Sequence, residues 1–204
     1  MNTSFSVEKA IHVLSYLQQK TGVTDVRILL AYAFLADRYS IRTYAMPVLG
    51  EPHYYATESG PVPLQTMRVL EEDLIGTTLQ ERALLDSSIR QTSNEGVVID
   101  TLQEYDLLSR ADIEALDFAS GHFKGLGVND LVALTQQYPE WVKGEMELTS
   151  GSTMTAMCYE DFFDNPAAEN LQEIHRLLGC DDPFITCGPG TAALALAKDV
   201  FFCS

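Results

Sequence analysis

A chain of 204 residues that is 46% hydrophobic can bury one sizeable core, so a single domain with a modest appendage is expected. Its formal net charge of −16 and pI of about 4.4 repel nucleic-acid phosphate, and its 13 basic residues are scattered singly, which argues against direct nucleic-acid binding. No window approaches the roughly 18 continuous apolar residues of a membrane span, and the opening lacks the basic region and cleavage site of a secretory signal.

Ser6 or Thr3 caps a first helix whose Val7, Ala10, Ile11, Leu14 and Leu17 share one face, and Gly22 ends it. His12 falls on the polar side of that helix. Thr24 and Asp25 open a second helix to about Tyr39, so apolar all round that it reads as the buried centre of the fold. Four prolines and two glycines between residues 46 and 63 then surround short β-prone pieces, which predicts a small β-hairpin insert around residues 46–58. Pro63 suits the first turn of a third helix carrying Leu64, Met67, Val69, Leu70 and Leu74.

Residues 76–92 are polar and carry no clear pattern, and Gly96 to Leu102 reads as a short strand pairing with the earlier hairpin. Ser109 with Asp112 forms a capping box for a fourth helix to about Lys124, and a fifth, VNDLVALTQQ, ends before Pro139. A further helix is expected from Ala167 to Leu178. Residues 145–204 hold 10 acidic and 2 basic residues, a net −8, which is half the charge of the chain. The expected fold is mainly α, a compact helical domain of five to seven helices over residues 1–146. An acidic C-terminal extension, 147–204, packs on the same domain.

The run from Glu8 to Glu72, with its amphipathic helix, buried helix and Gly60-Pro61-Val62 opening a further helix, is similar to the start of a SocA-like Panacea domain. The run from Leu108 to Glu145 resembles the second block of that family, in which a Leu-rich helix ends in Leu-Thr-His and is followed by Pro-x-Trp. The resemblance covers roughly residues 6–146. Here the histidine of that motif is Gln136, and a lysine usual in the second helix appears as Arg27 or is lost. The resemblance implies an antitoxin of a bacterial or phage toxin–antitoxin system that neutralises a cognate protein toxin by direct binding. A protease or other host protein is an alternative partner, and the resemblance implies no reaction.

Catalytic readings are weak. Cys158 or Cys187 with His122 or His175 supplies the residue types of a cysteine-dependent hydrolase but no signature. The four histidines lack ligand spacing, so no metal is expected, and GPGTAALALAK lacks the lysine and hydroxyl of a phosphate loop, so no cofactor is expected either. The four cysteines, at 158, 180, 187 and 203, form no CxxC pair, and reduced thiols in a cytoplasm are expected.

Partner-binding candidates are residue types that anchor interfaces. Gly60 and Pro61 form either a rigid turn or the rim of a docking surface. Tyr54 and Tyr55 alternate in direction, so one packs inward and the other faces out. Trp141 closes the core or joins an interface. Arg38, beside Asp37, is a helix-end charge, an internal pair or a contact to an acidic partner, and Phe162 and Phe163 lie in the acidic aromatic stretch YEDFFD as core or docking residues. Alternatives of other classes are a mobile-element regulatory protein, whether protease adaptor or acidic nucleic-acid mimic, and the hydrolase.

Overall fold

The computed structural model describes residues 5–71, 78–92, 96–102, 104–148 and 150–163. The expected helix at 167–178 and most of the acidic extension lie outside the described residues.

Helix α1, Val7–Thr21, starts where the Ser6 side chain accepts from the Lys9 N–H and stops at Gly22 in the left-handed region, φ 73°. Helix α2, Val26–Tyr44, is capped by Asp25, whose carboxylate accepts from the Arg27 N–H at 2.9 Å. It runs five residues past the expected stop at Tyr39. Arg38 forms an internal pair with Glu140, one of the alternatives its position left open, Arg42 donates to the Phe162 carbonyl, and Ile41 between them is fully buried.

A two-stranded hairpin follows, β1, Tyr54–Thr57, and β2, Gly60–Pro63, leading directly into α3, Leu64–Glu71. Helix α4, Leu79–Ser88, fills part of the stretch that carried no pattern and is held by a Thr78–Glu81 capping box. It leads into β3, Ile89–Gln91, which pairs antiparallel with β4, Val97–Ile99. The expectation that this strand joins the earlier hairpin is thus corrected, because a nearer partner in sequence closes the shorter loop.

Helix α5, Arg110–His122, carries the expected Ser109–Asp112 box, and α6 spans Val128–Thr135. Pro139, read as a terminator, in fact opens α7, Pro139–Leu148, at the one helical position where a missing N–H costs nothing. Strand β5, Met154–Met157, then pairs with β1, giving the order β2-β1-β5, and a 3-10 turn follows at Tyr159–Phe162. Seven helices among the described residues and two small antiparallel sheets make a mainly α fold.

The centre is α2, which packs against α1, α5, α6 and β2. Leu29, Phe34, Ala36 and Ile41 of α2 are fully buried among Leu14, Leu17, Leu70, Leu116 and Phe162. His12 is buried with its ring edge-on to Tyr105 at 6.2 Å, which corrects its expected place on a solvent face: α5 and the Tyr105 segment cover that side of α1. Cys158 is disulfide-bonded, against the expectation of reduced thiols, and its partner lies outside the described residues.

The core also contains two carboxylates. Asp37, 0% exposed, accepts from the N–H groups of Val48 and Leu49, the latter at 3.0 Å, and from the Tyr54 hydroxyl. Glu51 caps the start of α3, accepting from the N–H groups of Gln65 and Thr66 at 3.1 and 2.7 Å and from the Thr66 hydroxyl at 2.6 Å. Burial pushes the Asp37 carboxyl up to about 6 and the Glu51 carboxyl up to about 7, with the Asp37 charge adding to the rise at Glu51.

Both folded values lie above the unfolded ones, so the folded state holds protons that the unfolded chain has released. Their contribution to stability is full below the unfolded values, near pH 4, and is lost as pH rises through about 6 and about 7. The melting temperature, followed by circular dichroism, is expected to fall between pH 5 and pH 8, and Glu51→Gln to flatten the upper part of that decline.

Helix α7 approaches the sheet at Gly144, where an added Cβ lies 2.7 Å from the Ala56 Cβ. Gly144→Ala gains about 1 kcal/mol of helix propensity but forces α7 off the sheet, a cost of about 1–3 kcal/mol. A net drop in melting temperature is expected, because the Ala56 methyl has no rotamer through which to withdraw.

Candidate protein-docking site

The turn that joins β1 to β2 is clamped by the segment from Thr135 to Trp141. The Trp141 indole N–H donates to the Thr57 carbonyl at 3.0 Å, and the Gln136 amide donates to the Glu58 carbonyl at 2.9 Å. Within the turn the Thr57 hydroxyl donates to the Gly60 carbonyl at 2.8 Å. Gly60 has φ 98°, and a Cβ there lies 2.9 Å from the Thr135 hydroxyl oxygen, so only glycine satisfies both the backbone and the close approach. Gly60-Pro61-Val62, Leu134-Thr135-Gln136 and Pro139-Glu140-Trp141 are thus one packed unit. Gln136, in place of the histidine that the resemblance leads one to expect, serves this unit as a side-chain donor to the Glu58 carbonyl.

Beside this clamped turn is a groove of about 480 Å³, walled by Pro61 and Val62 of β2, Leu30 and Ala31 of α2, Met67 of α3 and Val128 and Val132 of α6. Its size lies within the usual range for ligand-sized clefts, and its walls are mainly aliphatic. The charged groups on its margin are Arg27, Glu58 and Glu71. Arg27 is engaged by Asp25 at 3.0 Å, so the outward field of that cation is largely offset within the chain.

Farther along α2 lies a second, smaller hollow of about 190 Å³ around Arg38, Tyr39, Arg42 and Phe118. The Arg38 guanidinium lies 3.8 Å from the centre of the Tyr138 ring and pairs with Glu140 at 2.6 Å, while Arg42 donates to the Phe162 carbonyl at 2.6 Å. Burial raises the Glu140 carboxyl above its ordinary value, against the pull of Arg38. Tyr39, Phe118 and His122 stack in series with centroid separations of 4.3 and 5.2 Å. Both arginines are spent on internal contacts, so this hollow offers less to a partner than the groove does.

The structure spreads the sequence-derived candidates over these features. Pro61 is on the groove wall and Gly60 at the clamped turn beside it. Trp141, 6% exposed, sits beneath that turn as its hydrogen-bond donor. Tyr54 and Tyr55 are both covered, at 1% and 5% exposure, so the expected outward tyrosine is absent: β1 is the central strand and each of its faces is packed. Phe162 and Phe163 are buried, with Phe162 against Phe34 and Tyr54 at 5.9 and 5.6 Å. Sequence reasoning missed Val128 and Val132, whose four-residue spacing gives α6 an apolar stripe separate from the buried Leu131, and it did not assign Gln136 a structural role.

Among the described residues no group of three His, Cys, Asp or Glu side chains is placed to hold a metal, and no helix is long and apolar enough to cross a membrane. The cysteine-hydrolase pairings draw on Cys187 and His175, which lie outside the described residues, and on Cys158, which is disulfide-bonded.

No curated protein and no solved structure matches the chain. The model of the family described as antitoxin SocA-like, Panacea domain, matches residues 32–142, a span from within α2 to the start of α7 that contains the clamped turn and most of the groove. The chain belongs to the SocA-like Panacea antitoxin domain family.

Proposed function

We propose that this chain is an antitoxin that neutralises a co-encoded toxin by direct protein–protein binding in a bacterium or a phage-infected cell. The family match over residues 32–142 carries this reading. Charge supports it. At −16, the chain attracts a basic partner and raises the encounter rate, while apolar contacts set the lifetime of the complex. No step needs a cofactor, a metal or a nucleic acid.

In this reading residues 1–146 form the family domain and residues 147–204 an acidic extension packed on it. The pairing of β5 with β1 supports that packing. Gly60 fixes the turn beside the groove, and Pro61 forms part of its wall. Tyr54, Tyr55, Trp141, Phe162 and Phe163 support it from below, and Arg38 holds the α2–α7 junction.

The test is co-expression with the product of the adjacent open reading frame. Growth rescue together with a stable co-purifying complex, whose association slows as salt is raised, is the expected result. A harmless neighbour, or rescue without contact, contradicts the proposal. Rescue that disappears in a protease-deficient host points instead to an adaptor that delivers the toxin for degradation.

A further inference from the structure

We infer that the groove between α2, β2, α3 and α6 receives an amphipathic helix of the toxin, with aliphatic anchors on one face and lysine or arginine on its flanks. This rests on the antitoxin reading above and names the part of the partner that the site takes.

The first argument is about which secondary structure the groove can accept. Strand β2 forms one edge of its sheet and pairs on its other side with β1, in the register Thr57–Gly60, Ala56–Pro61, Tyr55–Val62 and Tyr54–Pro63. Two of its four residues are prolines without an N–H. Gly60 and Val62 therefore hold the only donors of the strand, and the ladder with β1 uses that parity. The alternate positions, which face away from β1, are Pro61 and Pro63, and an edge that offers carbonyl acceptors but no donors cannot complete the ladder with an added strand. A partner segment entering here must satisfy its own backbone hydrogen bonds, which a helix does, and must bind through its side chains.

The second argument is about side-chain chemistry. Leu30, Ala31, Val62, Met67, Val128 and Val132 offer an aliphatic trough in which the methionine adapts to the shape of an inserted side chain. Such a trough takes the i, i+3 or i+4, i+7 positions of an amphipathic helix. The third argument is charge. The charged margin residues are two carboxylates, Glu58 and Glu71, and one cation, Arg27, so the rim is formally net acidic and complements cations flanking the anchors. The clamp on the β1–β2 turn adds preorganisation, since the wall carrying Pro61 and Val62 is fixed before binding and costs little ordering entropy.

The experiment uses the full chain and the purified product of the neighbouring gene. Val132→Glu and Met67→Glu each place a carboxylate in the trough, while Leu79→Glu adds the same charge at an 88% exposed position on α4, outside the groove. All three increase the acidity of the chain, so a purely electrostatic association strengthens in all three. Docking in the groove predicts instead that Val132→Glu and Met67→Glu weaken binding on the order of 100-fold, as for an interface hot spot, and that Leu79→Glu does not. Melting curves confirm that each variant is folded.

A photo-reactive residue at the exposed Asn129 reads the occupant directly. Cross-linking to a segment of the neighbour that is helical in the complex is the expected result. Equal affinity of the groove variants and wild type, cross-linking to residues 164–204 of the same chain or to a second copy, or a partner segment bound as a strand each overturns the inference while leaving the antitoxin reading intact. Failure of the neighbour to bind the wild-type chain at all removes both.

Discussion

Asp37 is fully buried on the central helix, and its carboxylate holds together three parts of the chain that would otherwise meet only through apolar contact. It takes the N–H groups of Val48 and Leu49 and the hydroxyl of Tyr54, so the loop after α2 and the first residue of β1 are fixed to one point. A buried carboxylate without such donors is prohibitively costly, so the loop must present its amides in this arrangement or the core does not close. Glu51 repeats the device a few residues later by binding the first amides of α3. Together the two acids specify the path of the irregular chain between α2 and β1 and tie it to the start of α3.

From that path the docking surface follows. The hairpin rises from Tyr54, the β1–β2 turn meets Thr135, Gln136 and Trp141, and the wall of the groove is set between the polar centre at one end and the clamp at the other. The residues that resemble the family motifs are mostly the ones that make these joints, and they are buried or half-buried. They act on a partner by shaping the surface rather than by touching it. The exposed lining residues are spread around the rim, with Arg27 on α2, Glu58 and Ser59 in the turn, Glu71 on α3 and Asn129 on α6, and a change of side chain there alters the partner chosen without disturbing the fold.

Helix starts and stops were legible in the sequence where their cause is local. Ser6, Gly22, Asp25 and the Ser109–Asp112 box each act within four residues of the bond they make, and the apolar character of α2 announced its central place. What was not legible depends on contacts between distant residues. The pairing of β5 with β1 joins positions about a hundred residues apart, and nothing near Met154 signals it. Pro139 is compatible with ending one helix or opening the next, and the choice is made by the packing of α7 on β1, β5 and the 3-10 turn, all distant from it or later in the chain. The same limit applies to Tyr55. Alternation correctly gives the two tyrosines opposite directions, but it does not say that both faces of β1 are covered.

The central claim is that the buried Asp37–Tyr54 contact fixes the hairpin that walls the groove. Hydrogen exchange on the Tyr54→Phe chain tests it most directly, because phenylalanine keeps the packing on Phe34 and Phe162 and removes only the hydroxyl. The account predicts faster exchange confined to residues 48–62, with α1 and α5 as protected as in the wild type. Unchanged protection of the β1–β2 amides, or a uniform loss across all helices, contradicts it.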